Sequence, residues 1–586
     1  MPYFPIVNEE NTSQHVTDTF LGYNHNMKIR DGEFYEMTNM SSDYYPLLAN
    51  RRKRGIVAQL TSPGGIAAKE AIAWVDGSDL IFNGYTIHMN LNNVVPKQFI
   101  SMGAYLLIWP DKKYLNTKDL SDYGSIECVF ESVGNITYAL CDETGSELTD
   151  IATEQPEDPT GGQYWLDTTQ TPHVLRQYSA SASSWVSVPT VYVKISSTGI
   201  GQGFERYDGV KLSGIAYPGQ SESVIKQYDE LNSTKVIYAK GDDYIVVVGL
   251  IDVSSTQTTG KVTVARTAPD MDYLCEAQNR IWGCKYGMSD GKAVNELYCC
   301  KLGDFKNWSC FMGISTDSWA ASVGSDGAWT GCYNYMGYPT FFKEDIIHRI
   351  AISAAGAHQV TETKGRGVQN GSWRSLCEVN EVLYYLGRSG VCAYDGSFPS
   401  TVGEALGEIR YHDGVAGGSG GKYYLSAIDG NSAAHLLVFD TEKSLWHRED
   451  NTRPLMFAAK GDDLYFVNTA DNKVYTEKGS VGTLEQNAVA WSATTGLIGY
   501  TTVEQKYVTR FNLRMKLPQG STAAMYIQYD SDGTWHSCGT LEGHGTKTFM
   551  LPVRPRRCDH FQFRIDGTGD IRIYSFARVF ERGGDG

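Results

Sequence analysis

The feature that most constrains this chain is a phrase it repeats: a short apolar strand, a turn built on glycine or asparagine, and a second apolar strand. It reads Leu274 to Trp282 around Asn279, Tyr335 to Phe342 around Gly337, Leu376 to Tyr385 around Asn380, Gly418 to Tyr424 around Gly420, and Met456 to Phe466 around Gly461. The turns at Gly337, Asn380, Gly420 and Gly461 fall about 40 residues apart, the spacing of a four-stranded propeller blade. Second hairpins with Asp-Gly or Asp-Asn turns follow at Val391 to Gly396 and Val467 to Tyr475, and a further strand runs Leu436 to Asp440. Each unit therefore supplies about four short strands.

Two earlier copies of the phrase, Ile72 to Phe82 and Phe99 to Trp109, sit closer together than full blades of that period. Counting them predicts six to seven blades. With 61 Gly and 37 Tyr against 18 Pro, the composition suits many short strands and tight turns. The fold class expected is all-β: a β-propeller of six to seven blades with an inserted small β module and a C-terminal β-sandwich.

The domain boundaries follow from where the phrase stops. Residues 1–125 read as an N-terminal arm and the first propeller blades. The repeat lapses over 126–265, an inserted region whose small β module lies at about 150–195, entered through the linker Gln155 to Gly162. Blades resume over 266–482. From 483 to 586 the runs Tyr507 to Met515, Ala524 to Tyr529, Lys547 to Leu551 and His560 to Ile565 alternate polar and apolar, which predicts an antiparallel sandwich with one solvated face.

Charge and cysteine content bound the function. A net charge of −16 repels phosphate, which argues against tight or sequence-reading DNA binding but would suit a lining that DNA slides past. The 12 cysteines form no C-x-x-C pair and sit in apolar runs, so they read as buried thiols of a reducing cytoplasm rather than zinc or redox ligands. Cys299 and Cys300 point to opposite strand faces and do not suit a local disulfide. Neither a secretory leader nor an 18-residue apolar span is present, so synthesis in a host cytoplasm without membrane insertion is expected.

Chemical constellations are sparse. Ser325 to Trp329 and Ser531 to Trp535 approach the sialidase Asp-box but lack its intervening residues, and ordinary Asp-Gly turns beside a buried Trp explain them. Histidines His25, His88, His348, His447, His544 and His560 are dispersed, without metal-ligand spacing. Gly417 to Gly421 lacks the Lys-Ser/Thr of a phosphate loop. No catalytic residue, metal ligand or cofactor is assigned, and the chain is expected not to be an enzyme. The basic run Arg51, Arg52, Lys53 and Arg54, and the trio Arg554, Arg556 and Arg557, are the candidate contacts to phosphate or to acidic partners. A solvated loop and an internal ion pair are their bland alternatives.

Three blocks carry a family likeness. Asp31 to Arg51 resembles the opening of tailed-bacteriophage virion proteins. Asn279 to Gly283 with Leu302 to Trp308, Gly390 to Gly396 and Trp446 to Asp450 resemble their propeller. Arg554 to His560 with Gly567 to Ile573 is similar to their terminal sandwich. The family is that of the tail nozzle, packaged-DNA stabilisation or hub proteins of short-tailed phages, and Gly161 to Val188 resembles an accessory module of phage structural proteins. The resemblance implies a virion-tail protein. Its partners would be other copies of itself in a ring, expected to be a hexamer, the tail adaptor and portal-side proteins, tail fibres, and double-stranded DNA in transit. Two other readings stand beside it: a carbohydrate-binding or glycoside-hydrolysing propeller of a tail fibre, and an adaptor that anchors fibres through the insert.

Overall fold

The computed structural model describes residues 12–289, 291–353, 356–479, 484–499 and 505–582. Seven four-stranded antiparallel units are present, over 63–88, 98–125, 273–322, 331–364, 377–401 and 412–448, with the seventh begun by Pro454–Lys460, Asp463–Asn468 and Lys473–Thr476. The expected propeller is therefore seven-bladed. The repeated phrase marks the first hairpin of blades two to seven. Its tight turns have the left-handed conformation expected of type I′ hairpins: φ is 57° at both Gln278 and Asn279, and 50° and 65° at Asn380 and Glu381.

The two early phrases each belong to a complete blade, contrary to the spacing argument. The first blade fits within 63–88 because its strands are 4 to 6 residues long and its connections are tight. A blade needs strands, not a fixed period. Central strands such as Val382–Gly387 are buried almost throughout, because neighbouring blades cover both faces.

Ring closure comes from the start of the chain. Strand Gly55–Gln59 pairs antiparallel with Lys473–Thr476 and so completes the seventh blade, with Leu484–Glu485 added beyond it. The innermost strand of that blade, Pro454–Lys460, then packs against Pro63–Ala68 of the first.

The sandwich is also built from both chain ends. One sheet runs Met40–Ser41, Leu48–Asn50, Arg572–Arg582, Lys506–Leu517, Gly545–Pro552, with Thr12–Thr17 also paired to Arg572–Arg582. The other runs Gly22–Tyr23, Glu33–Thr38, Ala490–Thr495, Phe561–Thr568, Thr522–Tyr529, His536–Glu542. The period-two runs place Phe511, Leu513, Met515, Phe563, Ile565 and Phe576 between the sheets. The segment read from sequence as an arm thus supplies strands to both sheets. The same apolar cluster continues into blades five and six through Leu386, Tyr423 and Trp446, joining sandwich and propeller. Gly22 takes φ 85° at this seam, and a Cβ there would lie 2.2 Å from the Trp446 carbonyl oxygen, so the close approach requires glycine.

The insert leaves between blades two and three. Its eight-stranded sheet carries the helix Glu222–Leu231, which buries Val224, Tyr228 and Leu231 against it. The expected small module is the three-stranded sheet Tyr164–Asp167, Val174–Ser179, Ser184–Ser187. The insert is anchored on the third blade: the fully buried Asn307 accepts from Gly209 N–H at 3.1 Å and donates to the Tyr207 carbonyl at 2.7 Å. No helix among the described residues is long and apolar enough to cross a membrane.

Candidate functional site

The residues singled out from sequence separate into two groups. Arg51 and Arg54 turn inward, 5% and 1% exposed. Arg54 donates from Nε to Glu477 at 2.9 Å, from Nη1 to Asp450 at 2.8 Å and Thr452 at 2.9 Å, and from Nη2 to Glu449 at 2.5 Å. Arg51 reaches Asp450 at 3.2 Å and Asn39 at 2.7 Å. This burial takes both away from an external phosphate or partner: they weld the start of the closing strand to blades six and seven. A forked guanidinium meets several carboxylates at once, which is what the position demands. Burial depresses Arg54, but Glu477, Asp450 and Glu449 outweigh it and hold the cation. Burial and then Glu477 push Glu449 up to about 8, against the pull of Arg54 and Arg51.

Arg52 is exposed, with Asp43 at 3.5 Å, and Lys53 is half-buried. Arg554, Arg556 and Arg557 are all exposed on the sandwich. Arg556 pairs with Asp532 at 2.8 Å, whereas Arg554 and Arg557 have no ion pair among the described residues. These four are placed where a partner could meet them.

The two Asp-box-like stretches hold ordinary structural roles. Trp329 is buried, with Lys343 Nζ 4.6 Å from its ring centre, and Ser325 Oγ lies 2.9 Å from His348 Nε2. Trp535 stacks under Arg564. Among the described residues no group of three or more His, Cys, Asp or Glu is arranged to hold a metal.

Sequence reasoning gave no hint of the propeller axis. The innermost strands of blades two, three, four, six and seven, with the 3-10 turn Trp373–Ser375 that leads into blade five, surround a cavity of about 240 Å³ walled by Phe99, Tyr273, Tyr333, Trp373, Arg374 and Phe457. Tyr273 and Trp373 have ring centres 6.0 Å apart, and burial, with Cys284 next, pushes Tyr273 up to about 12. Arg374 also lines a second cavity of about 530 Å³ with Asp413 and Arg453. Its Nη1 donates to the Leu455 carbonyl at 2.7 Å, while its buried Nε has no protein acceptor. Burial lowers its pKa, Asp413 opposes that, and Arg453 adds to it. Aromatic faces beside an under-satisfied guanidinium suit a ligand with flat apolar faces and an acceptor oxygen. Of the residues lining the two cavities only Asp413 is a carboxylate, whereas glycoside hydrolysis ordinarily uses two. The contributing residues lie hundreds of positions apart, so only the closed ring brings them together.

No protein-family model and no curated protein matches this sequence. Solved structures similar to it include an exo-β-1,3-galactanase from Phanerochaete chrysosporium, with 8% identity over 52% of this chain and 94% of that one, TM-score 0.20. The N-terminal domain of Nup159 aligns with 7% identity over 75% of this chain and 96% of that one, TM-score 0.22. A GH43 glycoside hydrolase with engineered endo-xylanase and exo-arabinofuranosidase activity aligns with 8% identity over 54% and 97%, TM-score 0.17. That two of the three are glycoside hydrolases overturns the expectation that a chain of this architecture is non-enzymatic. At TM-scores this low they carry no activity, substrate or catalytic residue over to it.

Proposed function

We propose that this chain is a structural virion protein of a tailed bacteriophage, a subunit of a nozzle or hub ring below the portal and adaptor. In that place it serves as part of the DNA conduit, retains the packaged genome and anchors fibres. The family resemblance supplies the reading. The observation that supports it best is architectural: a propeller closed by its own N-terminal strand carries a sandwich made from both chain ends and a separate projecting insert. Such a subunit is locked internally and offers two bodies for docking.

Imaging the native particle is the direct test. Rings of this chain at the portal-distal vertex are expected, and deletion of the three-stranded module, residues 163–188, should abolish fibre attachment while leaving rings in place. A virion lacking the chain, together with a monodisperse monomer in solution, would sink the reading.

The aromatic axial cavity favours a second reading, a carbohydrate ligand held at the propeller axis, with or without hydrolysis. Trp373, Tyr273 and Phe99 would stack on sugar faces and Arg374 Nε would donate to a hydroxyl or carboxylate. A glycan array with the parent and Trp373→Ala tests it. Signal in the parent lost in the variant supports the axial site; silence in both removes it.

A further inference from the structure

The charge of the molecule is unevenly placed. From 505 to 582 twelve Lys and Arg stand against seven Asp and Glu, in a chain whose totals are 51 and 67. The excess sits on the outer face of the sandwich. Along Lys506–Leu517 the inward residues Phe511, Leu513 and Met515 alternate with Arg510, Asn512, Arg514 and Lys516, of which Arg510 and Arg514 are exposed.

No acidic side chain among the described residues pairs with this row. Among the described residues Arg510, Arg514, Lys516 and Arg572 have no ion pair within 4.0 Å. Lys516 faces Arg572 directly across the strand pair. Like charges in that position are destabilising. Between them, with Arg52, lies a socket of about 110 Å³ whose one carboxylate is Asp570. Arg572 is held ready for it, its guanidinium 3.7 Å from the Tyr44 ring centre and bonded to that hydroxyl at 2.6 Å. The socket thus gathers Arg51, Arg52, Lys516 and Arg572 around a single carboxylate, Asp570.

The complement lies on the insert. Asp142, Glu143, Glu147, Asp150, Glu154, Glu157 and Asp158 are all exposed, with no Lys or Arg between Asp142 and Asp158. Glu143 and Glu147 are paired, to Arg206 and Lys194. Asp150, Glu154, Glu157 and Asp158 have no ion pair among the described residues. The two surfaces are also far apart around the ring. The insert leaves between blades two and three, and the sandwich packs on blades five and six, so two blades separate them on one side and three on the other. A chain with opposite charges on opposite sides cannot satisfy itself, but it can satisfy a neighbour head to tail, and such contacts close into rings when the rotation allows.

We infer that the basic outer face of the sandwich, with Arg510, Arg514, Lys516 and Arg572, docks on the acidic segment 150–158 of the insert of a second copy. This rests on the ring reading above and names the interface that would build it.

Sedimentation velocity on the full chain, with two triple charge reversals, tests it. The first is Arg510→Glu, Arg514→Glu, Lys516→Glu; the second is Glu154→Lys, Glu157→Lys, Asp158→Lys. Five of the six side chains are exposed and Lys516 is half-buried, and unchanged melting confirms that the variants fold. The parent should form a ring species that dissociates at about 1 M salt, where the Debye length is ~3 Å. Each reversal alone should lose the ring, and the two combined in one chain should regain it. Rings that persist in either single reversal, or fail to return in the combined variant, overturn the interface and leave the ring reading standing. A parent that stays monomeric overturns both. Rings left intact by the first reversal while binding to duplex DNA is lost would give the face to nucleic acid and overturn the proposal.

Discussion

Arg54 is where the closing strand is most exposed to a single change. Its guanidinium is 1% exposed and satisfies Glu449, Asp450 and Glu477, and its Cζ lies 5.2 Å from the centre of the Phe466 ring. Arg54→Ala removes the cation and leaves three carboxylates in a buried cluster with only Arg51 to serve them. Breaking a buried ion pair by deleting one partner costs about 3–5 kcal/mol, and the second and third carboxylates add less because they share the same cation. Glu449 softens the loss, since it holds its proton more tightly than an ordinary glutamate and so adds little uncompensated charge near neutral pH. A net cost of about 4 kcal/mol follows. At ~2–3 °C per kcal/mol for a unit of propeller size, the melting temperature should fall by roughly 10 °C. Because Gly55–Gln59 begins at the next residue, its amides should lose hydrogen-exchange protection before those of the other blades. Arg54→Lys keeps the charge but offers three donors for four contacts, and should cost about half as much. If Arg54→Ala melts within about 2 °C of the parent, with protection of Gly55–Gln59 unchanged, the ion cluster is not what holds the ring shut.

Glu449 gives a pH dependence of known sign. Its folded pKa, about 8, lies above the unfolded value, so its contribution is fully present below about pH 4.5 and is lost as pH rises to 8. Glu449→Gln should flatten the fall of melting temperature across that window; an unchanged slope would contradict the assignment. Lys97 is fully buried and donates to Asp111 at 2.7 Å and to the Asn92 carbonyl at 2.9 Å. Lys97→Ala should therefore cost about 3–5 kcal/mol, whereas Lys97→Met with Asp111→Leu should cost far less, as denaturant midpoints would register. Gly22→Ala should loosen the sandwich from blade six at a cost of about 2–3 kcal/mol, read as proteolysis within 12–50 of the folded chain. Burial drives the thiols of Cys284, Cys300 and Cys377 upward, so the native chain at pH 8 should react with a thiol reagent mainly at half-buried Cys128, and the denatured chain at every cysteine.

The parts legible in the sequence are those written in neighbouring residues. Asn279 and Asn380 announce their turns because asparagine tolerates left-handed backbone, whereas their neighbours Gln278 and Glu381 share that conformation without announcing it. The alternation from Tyr507 to Met515 announces a two-faced strand. The parts missed depend on residues remote in the chain. Nothing near Gly55–Gln59 says that it pairs with Lys473–Thr476, and nothing near Asp31 to Asn50 says that its strands belong beside Ala490–Thr495 and Arg572–Arg582. Arg51 and Arg54 looked like a surface run because composition registers charge but not the Glu449, Asp450 and Glu477 that wait for it. The axial cavity has no local signature, since its wall residues come two or three at a time from five blades and the turn that leads into a sixth.

One N-terminal segment therefore closes two domains. Residues 12–50 complete both sheets of the sandwich, and residues 55–59 complete the seventh blade. The propeller cannot close before Lys473–Thr476 has been made, nor the sandwich before Arg572–Arg582, and the closing contacts span most of the chain: Leu48 pairs with Ile573 and Ile56 with Tyr475. Such non-local pairing slows folding, because loop closure is lost before contact energy is gained. What it provides is a subunit whose first and last described strands, Thr12–Thr17 and Arg572–Arg582, are paired with each other inside one sheet. Force applied to the sandwich is then shared with the ring through Arg54 and the Gly22 seam.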